Sequence, residues 1–188
     1  MRVLFSLKMI GLHVFTILLV VIMVSLGFWQ LRRHDERVTF NDAVRARSLT
    51  APLSPTALLA LDSDVANLEW FTLQASGQYL PDEDLLLVNV SQDGQAGIDP
   101  VSALQLDDGR ILLVNRGFIP LSQAVPAAPS GSVTVVGRVR TTDVRQRGEL
   151  SDAREGDLRE IQRLDLARLQ DQLPGEVLPV YIDLLAKI

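Results

Sequence analysis

The sequence of 188 residues contains no cysteine and only two histidines. The missing cysteine excludes a disulfide, a thiolate nucleophile and a cysteine-ligated metal. Both histidines precede residue 35, so the rest of the chain cannot form a Ser-His-Asp triad or the usual ligand set of a zinc site. No phosphate-binding glycine loop of the Walker or dinucleotide kind is present. These absences predict that the protein is not an enzyme.

Positive charge is also in short supply, with 18 basic side chains against 23 acidic ones. Arg2 and Lys8 are the only charged residues before Arg32, so the remaining chain is more acidic still. This balance argues against a nucleic-acid partner. The carboxylates of Asp82–Asp84 and Asp107–Asp108 lie in predicted turns, where solvation accounts for them. A carboxylate-dependent anchored hydrolase stays open as an alternative.

A long uncharged run, Met9 to Leu31, occupies the N-terminal part of the chain. As a helix it would reach about 34 Å, enough to cross the hydrocarbon core of a bilayer. Trp29 near its end suits the membrane interface. A cleaved signal peptide is the rival interpretation, but the run is too long and has no small-residue cleavage site. We therefore predict a transmembrane anchor over residues 1–31, with the lipid bilayer as its partner.

A charged juxtamembrane segment is predicted over residues 32–50, and it could continue the helix. Two basic side chains precede the apolar run and five arginines follow it closely: Arg32, Arg33, Arg37, Arg45 and Arg47. Counted locally, the positive-inside rule favours a cytoplasmic location for the soluble part. Long domains translocate despite such charges, so this count does not decide the orientation.

Residues 51–188 are predicted to form a β-rich domain. The clearest signal is a hairpin, Val101–Leu106 and Arg110–Asn115, because the Asp108-Gly109 pair allows the backbone angles of a tight turn. Further strands are predicted at Trp70–Leu80, Leu85–Val90, Ser132–Thr141 and Val177–Leu185, the last broken at its start by Pro179. Loops are predicted at Gln92–Pro100, Ala124–Gly131 and Asp143–Gly156, and short helices at Pro55–Leu61 and Leu164–Leu173.

The fold class that follows is α+β: an N-terminal transmembrane helix plus a mainly antiparallel soluble domain. Several links are too short for a crossover helix, which favours antiparallel pairing. Five or six strands with short helices beside them indicate a barrel-like or sandwich domain.

Two features carry chemical interest. His13 lies in the first turns of the predicted membrane helix, where an imidazole could ligate haem iron or simply reach the headgroups. Arg116 lies in an Asn115-Arg116-Gly117 corner that follows a buried strand. It either orders a bend in which Gly117 supplies an unusual backbone angle, or it anchors a carboxylate of a partner or a haem propionate.

The order of several short motifs resembles the SURF1 family of cytochrome c oxidase assembly factors. The end of the apolar run matches the family pattern Gly-x-Trp-Gln-x-x-Arg followed by a basic residue, through Gly27, Trp29, Gln30, Arg33 and Arg37. A Gly-x-Tyr strand matches at Gly77 and Tyr79. The stretch Val114 to Pro120 matches Val-Asn-Arg-Gly-Trp-Val-Pro, with Phe118 in place of the tryptophan.

The resemblance implies a non-enzymatic assembly factor or accessory subunit of a haem-copper oxidase, with cytochrome c oxidase subunits as partners. It implies assistance to haem A insertion, although no residue pattern here requires a cofactor. It also implies a single-pass protein of the cell membrane, or of the mitochondrial inner membrane in a eukaryote, with an extracytoplasmic domain. An anchored binding module unrelated to oxidase stays open as the alternative.

The sequence departs from the family pattern after the β domain. The family closes with a second membrane helix that carries a His-x-x-Tyr-Ala-x-Gln-Trp-like motif, whose histidine is the expected haem ligand. Residues 1–188 contain no such motif and no second apolar span. The family's haem ligand therefore has no counterpart here, and His13 is the only intramembrane histidine.

Overall fold

The computed structural model describes residues 7–152 and 156–187, so Arg2 of the basic start and Ile188 lie outside the described residues. The chain divides into two compact units, Met1–Ala46 and Arg47–Ile188.

The described residues of the first unit belong to a single helix, α1, which begins at Leu7 and ends at Ser48. Its apolar side chains from Ile10 to Leu31 are exposed all round, and it is long and apolar enough to cross a membrane. The predicted segment 32–50 is helical as far as Ser48. The helix ends before Pro52, because a proline disfavours helical angles at the residue preceding it.

The second unit is built around eight strands in its described part. They are β1 (Thr72–Tyr79), β2 (Leu85–Gln92), β3 (Gln95–Leu106), β4 (Ile111–Asn115), β5 (Ile119–Pro120), β6 (Ser132–Thr141), β7 (Glu160–Ile161) and β8 (Val177–Lys187). Short helices α2 (Pro55–Leu59) and α3 (Leu166–Gln170) and a 3-10 helix (Val65–Leu68) lie beside them.

Five of the strands close into a ring in the order β1-β6-β8-β4-β3, because β3 also pairs with β1. The closing pair joins Gly77 to Leu106 and Tyr79 to Leu104. All pairs in the ring are antiparallel except β4 with β8. Strands β2 and β5 extend the sheet from β3, and β7 pairs in parallel with β2. The domain is therefore barrel-like, and the predicted α+β class is confirmed.

Two apolar clusters lie on opposite faces of this sheet because side chains alternate along each strand. Leu112 and Val114 of β4 belong to the cluster inside the ring, whereas Ile111 and Leu113 belong to the cluster outside it. The outer cluster is covered by α3 and the residues around β7. Every residue of β4 is buried as a result, which is usual for a strand covered on both faces.

The structure confirms the hairpin of β3 and β4 and the bounds of β6. It overturns the predicted loop Gln92–Pro100, since Gln95–Pro100 belongs to a long β3 that turns from β2 at Asp93-Gly94. Both turn residues have positive φ, which allows a two-residue hairpin turn. The prediction of five or six strands was too low, because it did not include the two-residue strands β5 and β7.

Pro179 does not break the start of β8 as predicted, because the strand runs through it. The β4–β8 register shifts between Ile111 and Leu113, and a bulge of this kind accommodates a proline. The predicted loop Asp143–Gly156 lacks regular structure where it is described, and its residues 153–155 lie outside the described part.

Candidate functional site at the Asn115–Gly117 corner

The corner after β4 is stabilised by the Asn115 side chain and by the backbone conformation of Gly117. The Gly117 amide donates to Asn115 Oδ1 at 2.9 Å, which closes an Asx-type turn. Gly117 has φ of 94°, a conformation that a residue with a Cβ adopts only with strain. The Arg116 amide donates to the carbonyl of Pro100 at 2.8 Å and ties the corner to β3. The predicted bend and its glycine are confirmed.

Asn115 joins two carboxylates from neighbouring strands. Its Nδ2 donates to Asp99 Oδ2 at 3.0 Å and to Asp183 Oδ1 at 3.1 Å. The side chain is buried, and its carbonyl oxygen is occupied by Gly117. The amide therefore uses both of its donor hydrogens to hold Asp99 of β3 and Asp183 of β8 at one edge of the sheet.

Arg140 of β6 extends this chain of contacts. Its guanidinium approaches Asp183 Oδ2 at 3.6 Å and Glu69 Oε1 at 3.1 Å. It also lies over the Trp70 ring, 4.3 Å from the centroid, within the range of a cation–π contact. Trp70 has φ of 76°, which is unusual for a bulky residue, and its backbone amide donates a hydrogen bond to the Val139 carbonyl at 3.0 Å.

We call the connected residues Glu69, Arg140, Asp183, Asn115 and Asp99 the polar array. Burial raises the pKa of Asp183, while Arg140 and the hydrogen bond from Asn115 oppose that rise. Asp99 Oδ1 is buried without a hydrogen-bond partner among the described residues. The array thus keeps a carboxylate acceptor at a half-buried position of the sheet.

Arg116 is directed inward, towards the end of the barrel. Its Nη1 donates to Ser102 Oγ at 3.3 Å, its Nη2 donates to the Pro126 carbonyl, and Asp84 Oδ2 lies 3.9 Å from Nη1. Only 10% of the Arg116 side chain is exposed. This geometry favours the first of the two interpretations, in which Arg116 orders the corner. Asp84 is not simply solvated as predicted, since its Oδ1 is buried.

A cleft of about 320 Å³ opens beside the polar array. Phe118 forms part of its wall and packs flat on Gly97, where a Cβ would lie 2.3 Å from the ring. Asp99 and Asp183 supply its two carboxylates, and no histidine accompanies them in the described lining. The cleft offers acceptors for a polar ligand but carries no nucleophile–base pair. Its lining residues are Val90, Ser91, Gln92, Asp99, Asn115, Gly117, Phe118, Asp183 and Leu184.

The remaining predicted residues lie elsewhere. Gly77 and Tyr79 are on β1, where Gly77 closes the barrel because a Cβ would lie 2.1 Å from the Gln105 carbonyl oxygen. Burial raises the pKa of Tyr79, against the effect of Arg116. The motif residues of the helix are all exposed on α1, and the Arg33 guanidinium lies 5.7 Å from the Trp29 ring: Gly27, Trp29, Gln30, Arg33 and Arg37.

Sequence reasoning missed Asp99, Asp183 and Arg140 as partners of the corner. Asp99 belongs to the segment that was predicted as a loop, so its position on strand β3 was not predicted. Asp183 carried a usable signal, since it is a charged residue within an otherwise apolar strand. Arg140 likewise carried a signal, as a charged residue near the end of the β-branched strand β6. Which of these side chains meet depends on register, which the sequence did not show.

The described residues of the β domain do not fit a resident haem. Haem iron takes a histidine, cysteine, methionine or tyrosine ligand, and the domain contains only the last of these. Burial raises the pKa of both Tyr79 and Tyr181, which opposes the tyrosinate that iron requires. His13 is exposed on α1. Within residues 7–152 and 156–187, no group of three or more His, Cys, Asp or Glu side chains could hold a metal ion.

The structure thus defines a class of protein in which an N-terminal apolar helix precedes a small barrel-like β domain. The SURF1 family model matches residues 17–187, and the chain belongs to the SURF1 family. It is 29% identical over 146 residues to a SURF1-like protein of Monosiga brevicollis, covering 71% of this chain and 54% of that protein. The predicted family is confirmed.

Other relatives agree with this placement. Surfeit locus protein 1 of Takifugu rubripes is 24% identical over 144 residues, covering 65% of this chain and 58% of that protein. A SURF1-like protein of Rickettsia bellii is 34% identical over 103 residues, covering 52% of this chain and 39% of that protein. The chain spans about half the length of the curated relatives it matches.

Proposed function

We propose that this protein is a membrane-anchored assembly factor or accessory subunit of a haem-copper (cytochrome c) oxidase. The observation that carries the proposal is the SURF1 family match over residues 17–187, together with an apolar helix long enough to cross a membrane. In this proposal α1 lies beside the membrane subunits of the oxidase, and the β domain binds them outside the bilayer.

A binding role agrees better with the site than a catalytic one. In the polar array the hydrogen bonds of Asn115 join β4 to β3 and β8, and the ion pair between Arg140 and Asp183 joins β6 to β8. The Arg116 guanidinium is turned inward. Such a network rigidifies the edge of a sheet without presenting an activated nucleophile. We therefore propose that the protein presents a rigid surface and does not carry out chemistry itself.

The proposed location is the cell membrane, or the mitochondrial inner membrane in a eukaryote, with the β domain on the extracytoplasmic side. Family resemblance supports this side, whereas the arginines after the apolar run favour the other. Labelling of an engineered cysteine in intact cells tests the point, because the chain has no cysteine of its own. An Asp107→Cys variant at the exposed hairpin tip should react with a membrane-impermeant maleimide before the cells are lysed.

Haem A enters this proposal as cargo of the assembly process and not as a resident cofactor. The β domain offers only tyrosines as axial ligands, so we propose transient contact through α1, where His13 is the only imidazole within the apolar run Met9 to Leu31. A haem spectrum that disappears in a His13→Ala variant would support this route.

The function is tested by purifying the tagged full chain from membranes in a mild detergent. Mass spectrometry identifies the proteins that co-purify, and an absorption spectrum reports bound haem. Oxidase subunits in a fixed ratio indicate an accessory subunit, whereas substoichiometric recovery indicates a transient factor. Residues 1–50 fused to an unrelated soluble domain form the matched control for adhesion of the apolar helix. Failure to recover oxidase subunits above that control would refute the proposal and favour an unrelated binding module.

A second candidate, the carboxylate-dependent hydrolase, rests on one observation. Asp99 and Asp183 face a common cleft, and burial raises the pKa of Asp183 towards the range of a general acid. It predicts hydrolysis of a glycoside or ester substrate panel that is lost in an Asp183→Asn variant. An inactive wild-type protein over such a panel would exclude it.

A further inference from the structure

A groove of about 680 Å³ lies beside the start of β8, away from the corner described above. We call it the β8 groove. Its walls are the 3-10 helix Val65–Leu68, the residues that follow β6, and α3, while Leu178 is buried at its base. Its lining residues are Val65, Ala66, Thr141, Thr142, Val144, Asp165, Leu166, Ala167, Gln170, Val177, Leu178 and Pro179.

The walls of the β8 groove are tied together by hydrogen bonds. The Leu166 amide donates to Thr142 Oγ1 at 3.1 Å, and the Asp143 amide donates to the Leu164 carbonyl at 2.9 Å. The Val177 amide donates to Gln170 Oε1 at 2.7 Å, which joins α3 to β8. The groove is therefore preformed, as ligand sites usually are.

The surface of the β8 groove is mostly apolar. Val144 lies on it with 58% of its surface exposed, and Ala167 is also exposed. An apolar groove open to water is a common feature of sites that accept side chains of a partner. The only formal charge in the described lining is the carboxylate of Asp165.

Negative charge surrounds this apolar surface. Asp64 directly precedes the lining residue Val65, and the exposed Asp143 lies between two lining residues. Basic side chains next to lining residues in the chain include Arg145, whose Nε donates to the Glu149 carbonyl at 3.0 Å, and Arg168, which lines a separate pocket together with Asp157 and Asp171. The rim of Asp64, Asp143 and Asp165 thus calls for a basic partner by charge complementarity.

Addition of a partner strand is disfavoured at this edge of β8. Strand β6 ends at Thr141, opposite Val180, so residues 177–179 extend beyond it. The Val177 amide is already bound to Gln170, and Pro179 has no N–H to donate. A partner must therefore be recognised through side chains, which is how an amphipathic helix lies in an apolar groove.

We propose that the β8 groove is the docking site for a basic amphipathic helix of a partner protein. Its apolar side chains would enter the groove, and its lysines or arginines would meet Asp64, Asp143 and Asp165. This inference does not depend on an oxidase as partner. It can therefore fail while the proposed function stands, and the proposed function can fail while this inference stands.

The test measures binding of a fluorescent Leu/Lys helical peptide of about 18 residues. The full chain is held in phosphatidylcholine nanodiscs, and empty nanodiscs provide the background. A Leu/Glu peptide of the same pattern is the probe control. We expect binding of the Leu/Lys peptide, weakened at least about tenfold by Asp143→Lys and by Ala167→Trp, which fills the groove at an exposed position.

Asp93→Lys is the matched control, because it makes the same change of charge at the exposed β2–β3 turn, which lies at the opposite end of β3 from the strand β4 residue that pairs with Val177. It should leave the dissociation constant within about twofold of the wild type, as expected for a distant charge screened by salt. Equal losses in Asp93→Lys and Asp143→Lys would overturn the proposal, since attraction to the net charge would then explain binding. Equal binding of the Leu/Lys and Leu/Glu peptides would overturn the proposal. Displacement of the peptide by palmitoleate would overturn it in favour of a lipid chain as the occupant. A dimer that Ala167→Trp dissociates would overturn it in favour of a second copy of the chain.

Discussion

Asn115 and Asp183 lie opposite each other on the parallel strands β4 and β8, and the Asn115 amide donates to Asp183 Oδ1 at 3.1 Å. The same amide nitrogen holds Asp99 of β3 at 3.0 Å. One buried side chain thus joins three strands at the edge where β4 leads into the Asn115–Gly117 corner. Because a buried carboxylate that loses its donor is costly, this amide should be critical for stability.

An Asn115→Ala variant is expected to lower the free energy of unfolding by about 1–3 kcal/mol, since two carboxylates lose their shared donor. Urea unfolding of the full chain in detergent measures the change. Asn67→Ala is the control, because Asn67 is exposed and its side-chain amide donates to Asp62 Oδ2 at 2.9 Å. That variant should change stability by less than about 0.5 kcal/mol. Equal losses would show that Asn115 has no special role.

The stabilising contribution of Asp183 should depend on pH. Burial raises the pKa of its carboxyl above the ordinary 3.8, so the folded state holds the proton more tightly than the unfolded state. The contribution is fully present below pH 3.8 and is lost as pH rises through the folded pKa. The stability of the wild type relative to Asp183→Asn should therefore fall as pH rises above 3.8, in urea unfolding from pH 3 to 7.

Asp108 provides a control, because its pKa is shifted in the opposite direction to that of Asp183. Its side-chain hydrogen bond with Arg110 lowers the pKa of the carboxyl below 3.8. Its stabilising contribution is present above pH 3.8 and is lost as pH falls through the folded pKa. The stability of the wild type relative to Asp108→Asn should therefore rise with pH, and the same direction in both comparisons would contradict our assignment.

Gly77→Ala should disrupt barrel closure. An added Cβ would lie 2.1 Å from the Gln105 carbonyl oxygen, and this contact is backbone against backbone at the β1–β3 pair. We expect a loss of about 3 kcal/mol or more, visible as a lower unfolding temperature. Gly94→Ala is the control, because its φ is 78° but nothing lies within 4 Å. Its cost should be about 1–2 kcal/mol, and a cost as large as that of Gly77→Ala would refute the closure argument.

Arg140→Lys should expose the Trp70 ring. Lysine keeps the charge but loses the planar group that covers the ring at 4.3 Å. In a Trp29→Phe background the remaining tryptophan emission should shift to longer wavelength, with a stability loss of about 0.5–2 kcal/mol. Arg138→Lys is the matched control on the same strand, since Arg138 contacts Ser48 and not the ring. An unchanged spectrum in Arg140→Lys would contradict the stacked arrangement.

Much of the β domain could be predicted because its signals are local. The Asp108-Gly109 pair specifies a turn between two apolar runs, and the β-branched stretch of β6 specifies a strand whatever it packs against. The prediction of a loop at Gln92–Pro100 was wrong because it too depended on a local signal. Gly94 and Gly97 weaken the strand signal, although Gly97 is required within β3 because Phe118 packs on it.

The candidate site was predictable only in part. Asn115, Arg116 and Gly117 were identified from a motif contiguous in the chain, and the role of Gly117 in the bend follows from its backbone alone. Arg116 carried two interpretations, because the sequence does not show where a guanidinium points. The structure directs it to Ser102 and the Pro126 carbonyl, which favours an ordering role.

By itself, the sequence determined the apolar helix, the main strands and the family, since each depends on composition or spacing within a short segment. The tertiary structure alone decided the polar array and the β8 groove. Asn115 reaches Asp99 across 16 residues of chain and Asp183 across 68, and the groove combines four segments that lie between Val65 and Pro179 in the sequence. Such contacts depend on barrel closure and on the register of β3, β4 and β8, and a shift of one residue would turn each side chain to the opposite face.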